Sequence, residues 1–393
     1  MTWSPIVERA RISPVLADIA AAIDAHPREH HGELADYAVV RGYLDSDGAV
    51  PDPDDRAGGA LIAAIEQLAQ QGGTAALYGG AARVGWTVAH HASGDDADAA
   101  CKAIDDVLVR QLEGWTRDYD LISGLVGFGV YALERGDAGA AVASAVVTGL
   151  EASMAHGWLT EPELLPAHQR ETAPNGYVNL GLAHGIPGVI AILAQFCQRG
   201  FEPQRSRVVL DSALRRLLDG SPRRERGRFV AWQPADHTAS TRLAWCYGDL
   251  GVAAALLGAG LAIDHDEART EGLAVALDCA GRTPQQALIS DAGICHGAAG
   301  IAHLFNRMAQ ATGESALRGA AVAWIDRTLA MRSELPLAGF PANLPEDDGK
   351  PRLMPDATLL TGAGGVALVL HAACSEIEPA WDRLLLVDMP THS

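Results

Sequence analysis

The chain has 393 residues, 48% of them hydrophobic and only 5% aromatic, with 42 glycines and a formal net charge of -19. That length allows one large core or two ordinary ones, and the excess of small side chains suits closely packed helices better than β-sandwiches, which want β-branched and aromatic residues. The acidity leaves no basic footprint for phosphates and so excludes a nucleic-acid surface, while six irregularly spaced cysteines make no disulfide framework.

The first residues, MTWSPIVERARISPV, contain no apolar signal core. Apolar runs such as residues 138–150 fall short of the roughly 18–20 residues that span a bilayer, so the expectation is a cytoplasmic protein without a transmembrane segment. Residues 12–25 and 58–71 carry helical patterns and are expected to pair with each other. Between them, residues 26–57 hold PREHHGELADY and the Pro/Asp-rich VPDPDDRAGG, and they read as a loop or small insertion. Asp52-Pro53-Asp54-Asp55 superficially imitates the acidic motif of terpene cyclases, but it falls in this proline-broken stretch and reads as a turn.

From Gly80 onward a short element recurs, Gly-x-x-Gly leading an apolar run. It stands at Gly124 (SGLVGFGVYAL), Gly185 (AHGIPGVIAIL), Gly248 (CYGDLGVAAAL), Gly297 (CHGAAGIAHLF) and Gly362 (LTGAGGVALVL). A degenerate first copy, YGGAARVGWTV at Gly80, has Arg83 in place of the second glycine. Between the copies lie amphipathic segments, such as one with Leu210, Leu214, Leu217 and Leu218 on a single face and one with Leu317, Ala321, Trp324 and Ile325. An apolar-all-round helix must be buried, and an amphipathic helix can cover it. The pattern therefore predicts an all-α protein, a double-layered α/α toroid of six or seven helical hairpins with Gly-led inner helices. Residues 1–393 read as a single domain.

Two copies place cysteine just before the glycine turn: Trp245-Cys246-Tyr247-Gly248 and Ile294-Cys295-His296-Gly297. Ring closure would carry both helix starts to one rim, where Cys246, Cys295 and His296 offer two thiolates and an imidazole. Such a set with an open fourth position is a catalytic zinc arrangement; the alternative is a pair of small core cysteines at helix starts. His303 is a rival ligand or a packed histidine. Cys101, Cys197, Cys279 and Cys374 read as buried hydrophobes.

At these residues the chain resembles the lanthionine synthetase C-like family. The family's WCYG, CHG and HGxxG elements stand here at 245–248, 295–297 and 184–188, in the family's order, on repeats running from about Leu77 to the end of the chain. The resemblance implies one Zn2+ held by Cys246, Cys295 and His296 at the mouth of an α-toroid. It further implies that His184 is an acid/base, that Asp120, in the DxIxGxxG element, lies beside it, and that Arg242 and Tyr247 line the active site. Read without the family, His184 is a capping or core histidine, Asp120 a helix cap and Arg242 a surface charge.

The activity implied by the resemblance is that of a peptide cyclase. It adds a cysteine thiol to dehydroalanine or dehydrobutyrine and makes lanthionine or methyllanthionine thioethers in a dehydrated precursor peptide, with a lanthipeptide dehydratase as an expected partner. Glutathione addition to dehydroamino acids is a second reading, and a non-catalytic, zinc-stabilised peptide scaffold is a third.

Overall fold

The computed structural model describes residues 3–165, 167–221, 227–233, 241–345 and 351–390. Among these residues, the helices longer than one turn are α1 (Arg9–Ala25), α2 (His31–Ser46), α3 (Arg56–Gln71), α4 (Ala81–His91), α5 (Asp95–Leu112), α6 (Leu125–Glu134), α7 (Ala140–Ala155), α8 (Ile186–Arg199), α9 (Pro203–Asp219), α10 (Asp249–Ala262), α11 (Asp266–Ala280), α12 (Ala298–Thr312), α13 (Ser315–Ala330) and α14 (Ala363–Cys374). Even-numbered helices form an inner ring, each packed on the next, and α14 returns to α2. Odd-numbered helices cover them from outside. The result is an α/α toroid whose layers follow from sequence: every residue of α14 is buried, whereas α9 buries only a stripe that includes Leu210, Leu214 and Leu217.

Two expectations at the N-terminus are corrected. Residues 12–25 and 58–71 do not pair; α3 packs on α2, and α1 packs on α14, so the ring is closed by the two ends of the chain. Residues 26–57 are not a mere loop or insertion, because they contain the inner helix α2, which buries Tyr37, Val39, Val40 and Leu44. This helix starts without a glycine pair. His30 caps it instead, its Nδ1 accepting the Gly32 N–H at 3.1 Å, while Glu33 accepts the His30 N–H at 3.3 Å. The Pro/Asp stretch ends as a turn in which Asp55 caps α3.

At the N-terminal ends of the inner helices the backbones nearly touch. A Cβ on Gly185 would collide with the carbonyl of Asn179, and one on Gly188 with that of Leu182; Gly248 and Gly251 stand in the same relation to Arg242 and Trp245. With the glycines admitting this close approach, the segments before them hydrogen-bond to one another round the ring. Tyr78 N–H donates to Ile122 (3.1 Å), Leu121 to Ala183 (3.0 Å), Ala183 to Cys246 (3.3 Å), Cys246 to Cys295 (3.2 Å) and Cys295 to Leu360 (2.9 Å). Helix α2 lacks such a segment. Asp36 on α2 completes the circuit by accepting the Leu359 N–H at 2.9 Å on one side and pairing with Arg83 of α4 on the other. The arginine that replaces a glycine in the first copy thus has a structural role.

The opposite end of the bore is filled by the C-terminal segment. Its 3-10 turn, Ala380–Leu385, runs inward, with Trp381 and Leu384 fully buried. Asp382 anchors it, accepting from Arg307 (2.8 and 3.0 Å) and facing His303 Nε2 at 2.8 Å. His303 is therefore a packed histidine. The tip of the turn reaches the rim, where Leu384 and Leu385 carbonyls accept from the Tyr78 hydroxyl and the Trp245 indole, each at 2.9 Å.

Small antiparallel sheets flank the mouth: β1 (Leu159–Thr160), β2 (Tyr177–Asn179) and β3 (Trp232–Gln233) in that order, and a ribbon of β4 (Ala342–Pro345) with β5 (Pro351–Met354). One stretch, Gly136–Ala155, is long and apolar enough by composition to cross a membrane. Its helix α7 lies in the outer layer, between α5 and α9 and over α6.

Candidate functional site

Five of the seven residues singled out from the sequence occupy the two positions before a motif glycine, where the chain crosses the rim, and Asp120 and Arg242 stand four and six positions ahead. Cys246 and Cys295 stand two residues ahead of theirs; His184, Tyr247 and His296 stand one ahead. The backbone bonds between neighbouring segments bring these positions together. Ligand atoms of Cys246, Cys295 and His296 all lie within 4.8 Å of one another. Cys246 is buried, and Cys295 and His296 are half-buried.

Hydrogen bonding from Cys295 draws Cys246 well below the ordinary thiol range against the pull of burial, with His296 and the Arg242 charge adding to it. The same contact, with burial, drives Cys295 well above that range. His296 is raised chiefly by its hydrogen bond to Cys246, then lowered by burial and raised again by Asp291, whose carboxylate lies 3.6 Å from its Nε2. Two soft sulfurs and one imidazole within 4.8 Å of one another fit a borderline-soft dication such as zinc, whose catalytic sites take three protein ligands. A second group, Asp249, Asp278 and Cys279, also has ligand spacing. There Arg282 already pairs with both carboxylates, and Asp249 accepts backbone N–H groups of Arg228 and Phe229, which makes it an ion-pair knot.

His184 leads α8 on the neighbouring rim position. Its Nδ1 is 2.7 Å from Asp120 Oδ2, and the other Asp120 oxygen accepts the Ser123 N–H at 2.8 Å. Burial would lower the imidazole pKa, but the Asp120 hydrogen bond and charge raise it above the usual value. The Tyr247 ring stacks on His184 with centroids 5.7 Å apart. Burial pushes the phenol upward, so it stays protonated at neutral pH. Arg242 is exposed at the rim, contributing charge to the cysteine pair. All seven residues singled out from the sequence thus lie on adjoining segments of one rim.

Residues not singled out from the sequence also face the site. Asp118, beside Asp120, is pushed up to about 6 by burial and by that neighbouring charge. Asp291 faces His296, and Asn179 donates from Nδ2 to the Tyr247 hydroxyl at 3.1 Å. A signal existed: Asp118, Asn179, Asp291 and Asp356 each stand six residues before a motif glycine.

Residues 42–386 match the family described as lanthionine synthetase C-like protein. The nisin biosynthesis protein NisC of Lactococcus lactis subsp. lactis is 26% identical over 273 residues, which take in 60% of this chain but 63% of that protein, less than two thirds of its length. A solved structure of nisin cyclase superposes with a TM-score of 0.78 at 20% identity, covering 96% of this chain and 98% of that one. The match extends upstream of the glycine repeats into α2, the helix that the repeat pattern missed. With the family matched over most of its length and its three motifs gathered at one rim, the chain belongs to the lanthionine synthetase C-like family.

Proposed function

We propose that the chain is a lanthionine-forming cyclase that closes thioether rings in a dehydrated precursor peptide, with one Zn2+ held by Cys246, Cys295 and His296. The observation that carries this reading is the convergence of two thiol sulfurs and an imidazole nitrogen within 4.8 Å of one another, beside a histidine already paired with a carboxylate. When bound, zinc would supply a site at which a substrate cysteine is deprotonated near neutral pH, whereas a free thiol with a pKa of about 8.5 is mostly protonated.

The net reaction breaks one S–H bond, forms one S–Cβ bond, turns the Cα=Cβ double bond into a single bond and forms one Cα–H bond. No oxidant is required. Attack moves the π electrons onto Cα and the adjacent carbonyl, leaving an enolate that needs a proton and a hydrogen-bond donor. His184, whose pKa the Asp120 carboxylate raises, would return the proton to Cα. Tyr247 and Arg242 supply donor and charge for the enolate oxygen. A scaffold without catalysis has no use for the His184–Asp120 pair, which favours the enzymatic reading. A dehydratase, as the maker of the alkene, is the partner this reading calls for.

Cyclisation leaves mass unchanged, so the test counts thiols. A dehydrated, cysteine-containing peptide is incubated with protein, and remaining thiols are alkylated. Loss of alkylatable thiol with wild type, but not with Cys246→Ala or His184→Ala, is expected. Persistent peptide thiol alongside consumption of glutathione would replace the peptide reading with glutathione addition. Persistence of both thiols with tight peptide binding would leave a scaffold.

A further inference from the structure

Asn179 ends β2, six residues before Gly185, and is almost fully buried. Asp291 and Asp356 stand at the same place before Gly297 and Gly362. In all three repeats Oδ1 accepts the N–H two residues on: Gly181 at 2.9 Å, Gly293 at 3.1 Å and Thr358 at 2.7 Å. This local turn needs only an acceptor, and aspartate supplies it twice. The amide at position 179 is therefore surplus to the turn.

Its orientation follows from the same bond. A backbone N–H can only donate, so the atom facing Gly181 is the oxygen, and the amide nitrogen faces Tyr247. That nitrogen lies 3.1 Å from the Tyr247 hydroxyl, to which it donates. A phenolic O–H prefers the ring plane and so has two directions open to it. With Asn179 donating from one side, the hydroxyl hydrogen is turned to the other.

We propose that Asn179 is a positioning residue that aims the Tyr247 O–H at the carbonyl oxygen of the dehydrated residue under attack, where charge develops. The assignment rests on the cyclase reading. It gives a reason for asparagine where the fold is content with aspartate.

Asn179→Asp is the natural test, because it keeps the turn bond that Asp291 and Asp356 make in their own repeats. Its carboxylate can only accept, so it would capture the phenolic hydrogen. The expected result is a fall in kcat for ring closure of about tenfold or more, with KM for the peptide, bound zinc and melting temperature unchanged. In a Tyr247→Phe background the same change should cost nothing further. Asn179→Ser, whose hydroxyl can cap the turn without reaching Tyr247, should show the same loss in kcat. The tyrosine Raman doublet of the resting protein should shift from acceptor toward donor in Asn179→Asp relative to wild type, a readout independent of turnover.

Wild-type kcat in Asn179→Asp, or an equal loss in the Tyr247→Phe background, would overturn the assignment while leaving the cyclase reading intact. Absence of ring closure by wild type itself would instead remove the reading and the assignment together.

Discussion

Asp120 holds one oxygen 2.7 Å from His184 Nδ1, and that contact sets the pH response of the site. Burial favours neutral imidazole, but the carboxylate outweighs it and raises the pKa above the ordinary value of about 6.5. In its proposed role as proton donor, His184 should sustain turnover up to this raised pKa and lose it as pH climbs through it. Asp120→Asn should move the alkaline limb of the rate profile to lower pH; a limb that stays in place would refute the pairing. The sign for stability is the same: the pair contributes fully below about pH 6.5 and fades as pH rises through the folded-state pKa. At the proposed zinc site, Cys246→Ala should reduce zinc from one ion per chain to near none, measured by elemental analysis. A chelator should lower the melting temperature of wild type and leave that of the variant little changed. The cysteines and His184 were legible in the sequence because each stands within two residues of a repeated glycine. Asn179 and Asp291 share a place six residues before a motif glycine, but Asn and Asp there ordinarily mean turns, and only the folded rim reveals where their second polar atom points.

Among the elements, the inner helices with two glycines could be read directly, because close approach leaves no other residue type. Gly248 illustrates the constraint: its φ is 96°, and a Cβ would strike the Arg242 carbonyl. Gly248→Ala should cost at least about 1–2 kcal/mol. Gly319, in the outer helix α13, is exposed, and a Cβ added there would meet only open space, so Gly319→Ala should stabilise by about 0.5–1 kcal/mol. Paired thermal melts would settle both; equal effects would mean the glycines are not held by packing. Helix α2 escaped notice because it begins with His30 rather than glycine and is flanked by charged and proline-rich residues. Its place in the ring depends on Asp36 and Arg83, residues far apart in sequence whose connection no local pattern discloses.

Across the whole molecule, closure depends on the two ends of the chain. Helix α1 covers α14, the Trp3 indole donates to the Ala372 carbonyl at 2.8 Å, and the Ile6 N–H reaches Ala373 at 2.8 Å. A ring fastened this way has no natural line of separation, so calorimetry should record one unfolding transition; two resolved transitions would divide the chain into independent units. The C-terminal turn adds a consequence of another kind. With Trp381 and Leu384 buried inside the bore, the Leu384 and Leu385 carbonyls bonded at the rim and Asp382 locked to Arg307, the annulus is closed from below. A polypeptide cannot be threaded through it like cord through a bead. On the proposed cyclase reading, a precursor would dip a bight onto the open side and withdraw by the same path, so its free ends would never need to enter, and rings anywhere along its length could be presented in turn.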